Sequence, residues 1–108
     1  MTRTESIAEV EISFEFSRHF GPRFIHGAVT LQFEGSKQYE FKSTASWPSG
    51  DNYEEAVRLA IEGALQEIQG HLRSPGVLLK KIEWNEISSC QAGFERAARA
   101  ATLAAFDV

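Results

Sequence analysis

The chain has 108 residues, of which 43% are apolar, including eight Phe, two Trp and two Tyr; this is the composition of one ordinary domain with one core. A net charge of −4 and a pI near 5.3 argue against unspecific, charge-driven nucleic-acid binding, though not against a local basic patch. A single cysteine excludes an internal disulfide and a Cys-based zinc site, no apolar run is long enough to span a bilayer, and the polar start lacks a secretory pattern; a cytoplasmic protein with no membrane partner is expected.

Residues 1–6 are polar and read as a flexible N-terminus to a single domain over 7–108. From Ile7 the chain alternates: Val10, Ile12, Phe14 and Phe16 fall on one side, Glu9, Glu11, Ser13, Glu15 and Ser17 on the other. This is a half-buried strand with an acidic outer face. Gly21-Pro22 marks a turn. A second strand follows, with Ile25, Val29, Leu31 and Phe33 on one face and Thr30, Gln32 and Glu34 on the other. Gly35-Ser36 turns the chain again, and a third strand over 37–45 points Tyr39 and Phe41 inward. The three short-linked strands predict an antiparallel meander with one wet face.

WPSGDN ends the strand pattern. Asp51 or Asn52 is placed to cap a helix, and Glu54 and Glu55 suit its positive N-terminal end. Tyr53, Val57, Ile61, Ala64, Leu65, Ile68 and Leu72 form its apolar stripe, opposite Glu55, Arg58, Glu62, Gln66 and Gln69. Gly63 weakens such a helix by about 1 kcal/mol relative to Ala, so close packing is expected there. A fourth strand over 77–86 places Leu78, Ile82 and Trp84 on one side and Leu79 opposite. The last helix opens with Ser88 and Ser89, either of which can cap it, and Ser88 with Gln91 fits a capping box. Its stripe is Cys90, Phe94, Ala97, Ala98, Ala101 and Ala105, mostly small; Gln91, Glu95, Arg99 and Thr102 lie on the other side. Such a helix can sit close against what it covers. The sum is an α+β fold, a two-layer sandwich: a three-stranded antiparallel meander, then helix, strand and helix.

Few residues suggest chemistry. No glycine-rich phosphate loop is present, so no nucleotide cofactor is expected. His19 and His26 could face each other across the first hairpin, but two imidazoles make a poor zinc site, so no metal is expected. Cys90 sits at a helix start, where a thiol can be activated, yet on an apolar stripe, where Cys packs as a small hydrophobe. No catalytic residue is assigned and a non-enzymatic module is expected. The first hairpin is more distinctive. Between Ser17 and Phe33 there is no acid, and Arg18, His19, Arg23 and His26 interleave with Phe20 and Phe24. Basic and aromatic residues on a strand-connecting loop suit RNA, through phosphate pairing and stacking. An ordinary cationic loop balancing the acidic first strand is the alternative. Arg96, Arg99, Lys80 and Lys81 could extend the patch, but their placement is not derivable from spacing.

Element order, GPRFIHGAVTLQFE, NYEEAVRLAIEGALQEI and ISSCQAGFERAARAATLAAF together resemble the fourth domain of elongation factor G, over nearly the whole chain. The resemblance implies a fold of the ribosomal-protein-like second-domain class with a left-handed strand–helix–strand crossover. It also implies a role at the decoding region of the small ribosomal subunit, in contact with tRNA and mRNA. Carried over by position, the contacting tip is Arg18, His19, Phe20, Gly21, Pro22 and Arg23, with Asn85 and Glu86. The sequence departs from that family in a first loop poorer in Gly and basic residues, and in a shorter second tip loop without histidine. It has no GTPase motif. Two functions are therefore expected, in this order: ribosome or RNA binding through Arg18, His19, Phe20, Arg23, His26 and Asn85, or a protein-interaction or self-associating domain on the same scaffold.

Overall fold

Alternation at the start of the chain builds the strands it predicts. The computed structural model describes residues 10–35, 39–48, 52–68, 75–85 and 89–105. Strand β1 (Val10–Phe20) pairs antiparallel with β2 (Arg23–Gly35) in one unbroken register from Val10 opposite Phe33 to Phe20 opposite Arg23. Gly21 takes φ +62° at the turn, the left-handed region open to glycine, and Pro22 presets the next φ. Ile25, Val29, Leu31 and Phe33 are buried along β2, as their spacing requires.

The meander does not continue. The sheet order is β1-β2-β4-β3, so the second edge of β2 is taken by β4 (Pro75–Glu83), and β3 (Glu40–Ser43) lies outside β4 and parallel to it. Alternation fixes which face of a strand is buried, not which strand is its neighbour. A four-residue β3 offers β2 less ladder than the nine-residue β4, which places Val77 and Leu79 opposite Phe33 and Leu31. The connection β3–α1–β4 joins parallel neighbours, as the strand–helix–strand crossover requires, with α1 spanning Glu54–Glu67.

Strand β4 also corrects the expected faces of its leucines. A bulge at Lys80 breaks the register between Thr30 opposite Lys81 and Leu31 opposite Leu79. One extra residue moves every side chain before it to the other face. Leu79 and Val77 are therefore buried, Leu78 turns to the open face, and Ile82 beyond the bulge packs against the core.

Both helices cover one face, giving a two-layer α+β sandwich. Asn52 Oδ1 accepts the Glu54 N–H at 2.9 Å, serving the start of α1; Asp51, the other candidate cap, lies outside the described residues. Helix α2 (Gln91–Ala105) buries Phe94, Ala97, Ala98 and Ala101 as expected. Thr102, expected on the wet side, is fully buried, and its hydroxyl donates to the Ala98 carbonyl at 2.8 Å, so no polar atom is stranded there. Phe94 sits among Trp47, Tyr53 and Trp84, with ring centroids 5.1 to 6.1 Å away. Gly63 has open space where a Cβ would stand, so close packing does not account for it. Residues 1–6, the capping serine Ser88, and Leu72 lie outside the described residues.

Candidate nucleic-acid interface

The hairpin is held at its base by a seam of backbone against backbone. A Cβ on Gly93 would lie 2.8 Å from the Gly27 nitrogen and closer still to the His26 carbonyl; one on Gly27 would lie 2.6 Å from the Gly93 carbonyl oxygen. Only two glycines let α2 meet β2 this closely. The Cys90 N–H donates to the His26 carbonyl at 3.3 Å, which fastens the start of α2 to the strand. Cys90 itself is a free thiol, half-buried in this junction.

His26 completes the seam. Its Nε2 lies 2.8 Å from Glu15 Oε2, and because a carboxylate only accepts, Nε2 carries the proton. Ser89 Oγ receives the Asn85 N–H at 2.7 Å and lies 3.3 Å from His26 Nδ1, within hydrogen-bond distance. The chain of bonds Ser89–His26–Glu15 has the order of a hydrolytic relay. Here it ties β1, β2 and the segment before α2 together. The turn position makes part of this legible: counting back from Gly21-Pro22 pairs Ser17 with His26, and Glu15 is then its diagonal neighbour on the same face.

The predicted contact residues therefore divide. Arg18, His19 and Arg23 are exposed at the tip; Phe20 is in the strand, and its side chain lies outside the described residues. His26 is only 8% exposed and engaged at both ring nitrogens. The Ser89 N–H donates to the Asn85 carbonyl at 2.9 Å and the Asn85 N–H to Ser89 Oγ at 2.7 Å, while Asn85 is exposed; Glu86 lies outside the described residues. His19 does not face His26 across the hairpin but pairs with Phe24, while His26 pairs with Ser17. Among the described residues no group of three His, Cys, Asp or Glu could hold a metal ion.

The other cations are sorted as well. Lys80 Nζ meets Glu11 Oε1 at 2.7 Å on the open face. Both terminal nitrogens of Arg99 meet Glu67 at 2.6 Å, and the hydrogen bond from Arg99 holds the Glu67 carboxyl below the usual carboxylate range. Arg96 goes elsewhere. Its guanidinium lies 5.5 Å from the Phe16 ring centroid, and Arg18 lies at the same distance from the same ring. Two cations from β1 and α2 thus converge on one aromatic side chain, each attracted by its ring quadrupole. Among the described residues neither Arg18 nor Arg23 has an acidic partner.

On the other face of the tip His19 and Phe24 are register partners, with centroids 4.6 Å apart and planes tilted by 45°. Phe24 is 38% exposed. Spacing along the chain offers no route to Arg96, because it does not say that α2 crosses β1 beside Phe16.

No family model matches the chain, and no curated protein does. Among solved structures it is similar to a crystal structure of a protein from Thermus thermophilus, with a TM-score of 0.75 and 21% sequence identity over 87% of this chain. The match spans 15% of that longer protein. At this identity the likeness establishes the α+β sandwich and its topology.

Proposed function

We propose that the protein is a non-enzymatic module that binds RNA through the tip of the β1–β2 hairpin, as a relative of the fourth domain of elongation factor G acting at the small ribosomal subunit. One observation carries this reading: the guanidinium groups of Arg18 and Arg96, distant in sequence, each lie 5.5 Å from the Phe16 ring centroid, and Arg23 is exposed nearer the turn. Guanidinium groups gathered at one side of the hairpin suit phosphate, and the stretch from Ser17 to Phe33 carries no acid. The overall charge of −4 then restricts binding to this one patch. The seam at Gly27 and Gly93 supports the reading, since it fixes the tip relative to α2 and its Arg96.

The test is co-sedimentation with ribosomes and separated subunits at low and moderate salt. Binding to the small subunit that weakens with salt and is lost in Arg18→Glu/Arg23→Glu is expected. Sedimentation unaffected by the double reversal would remove the hairpin from the interaction.

A second reading has its own observation. Strand β1 has eleven residues and no strand neighbour on its outer side among the described residues, and Ile12, Phe14 and Phe16 are only half-buried. An unpaired edge invites another strand, and the exposed Glu11 and Glu15 oppose this only in part. Self-association through β1 predicts a concentration-dependent dimer that Phe14→Lys abolishes and the tip reversals leave intact.

A further inference from the structure

We infer that the RNA taken by the hairpin is single-stranded, with an unpaired base stacked on the Phe24–His19 ring pair. This rests on the RNA reading above and specifies its ligand.

The geometry of the tip separates two tasks. Alternation sends Arg18 to the side of the sheet that carries Phe16 and Arg96, and sends its neighbour His19 to the opposite side. There His19 meets Phe24 across the hairpin. The cations therefore lie on one side of the β1 edge and an aromatic platform on the other, one residue apart along the strand. A polynucleotide passing over this edge places phosphate on the arginine side and base on the ring side.

Duplex RNA cannot use both sides. Its bases are hidden in the stack, so it offers phosphates and 2′-hydroxyls and would leave the Phe24 ring in water. A single strand offers phosphates and free base faces together. Phe24 has no core duty that explains its exposure: the next residue, Ile25, begins the buried run of β2. The described side chains of the tip are Arg18, His19, Pro22, Arg23 and Phe24, and stacking on the His19 and Phe24 rings reads no base edge, since every base has a π-face. The platform is thus tolerant of sequence and favours bases that stack well.

The experiment is a fluorescence-anisotropy titration of the full chain with labelled oligoadenylate and oligouridylate single strands and an RNA duplex of the same length. Single strands are expected to bind more tightly than the duplex, and oligoadenylate more tightly than oligouridylate. Phe24→Ala is expected to weaken single-strand binding by about 5- to 100-fold, the value of one stacked base, with the duplex and the salt slope unaffected. Phe24→Tyr is expected to restore it, which separates stacking from folding. If Phe24→Ala binds single strands like the parent, while Arg18→Glu/Arg23→Glu abolishes binding to both probes, the stacking inference falls and the RNA reading stands. Failure of every probe to bind at low salt would overturn both.

Discussion

The two helices look alike in sequence, each amphipathic with one internal glycine, and the structure uses those glycines in opposite ways. In α2 Gly93 lies against Gly27 and the His26 carbonyl, and the helix approaches β1 and β2 with Cα atoms within 8 Å. In α1 Gly63 lines a groove with Leu59 and Ala60 of its own helix and Gln91 and Glu95 of α2, with nothing near a Cβ. One glycine is a spatial requirement; the other leaves a helix weaker than it could be. The seam thus fixes how α2 meets the hairpin, while α1 is held by its buried Val57, Ile61 and Ala64.

The largest effect is expected where this contrast is sharpest. Gly93→Ala forces a methyl into the His26 backbone, and neither the strand nor the helix can yield without losing the Cys90–His26 hydrogen bond. Destabilisation of about 3 kcal/mol or more is expected. Urea unfolding followed by tryptophan fluorescence measures it, since Trp47 and Trp84 both flank Phe94, the residue next to Gly93. A Gly93→Ala protein with the parent midpoint would mean that the seam is not as tight as described.

His26→Ala comes next. It removes the bonds to Glu15 and Ser89 and leaves the Ser89 hydroxyl, already engaged by the Asn85 N–H, without its ring partner. A loss of roughly 1–3 kcal/mol is expected from an unpaired, part-buried polar group. Conversely, intact stability with impaired RNA binding would return His26 to the contact residues. The same titration of both variants thus separates base from tip.

Much of this organisation is legible in the sequence. Binary patterning locates both strands of the hairpin, both helices and most of the core, because Ile25, Val29, Leu31 and Phe33 along one strand face, and Val57, Ile61 and Ala64 at helical spacing, have few alternative readings. The tip is legible through Gly21-Pro22 and the acid-free run around it. The failures share a cause: most concern partners distant in the chain. Nothing local in Glu40–Ser43 says that its neighbour is β4. The bulge at Lys80 is set by β2, and the faces of Leu78 and Leu79 depend on it. Thr102 reads as wet because its hydroxyl is polar, whereas the Ala98 carbonyl one turn back satisfies it inside the core. Arg96 and His26 are visible as residue types, but that Arg96 lies against Phe16, and His26 between Glu15 and Ser89, follows only when α2 is laid on the sheet.

Gly63→Ala tests the loose side of the comparison, with the opposite sign. The site is helical, open and free of positive φ, so the substitution removes only unfolded-chain entropy and poor propensity. A gain of about 1 kcal/mol, or roughly 4–8 °C in midpoint, is expected in thermal unfolding. A loss would show that the groove beside α1 cannot take a methyl at Gly63.

The smallest effect belongs to Arg99→Ala, which breaks the one described ion pair joining α1 to α2. The hydrogen bond from Arg99 lowers the Glu67 pKa on folding, so the folded protein favours the ionised carboxyl. The sign follows: the pair supports the fold above the carboxylate range, and its support disappears as pH falls through the lowered Glu67 pKa. Because both side chains are about half-exposed, water and salt screen most of the attraction. Parent and Arg99→Ala should therefore differ slightly at neutral pH and low salt, and coincide in acid or at high salt. A large difference that survived salt would mean that Arg99 packs its aliphatic stem between the helices. In that case the α1–α2 contact would be as firm as the seam beneath α2, and the contrast between the two helices would be lost.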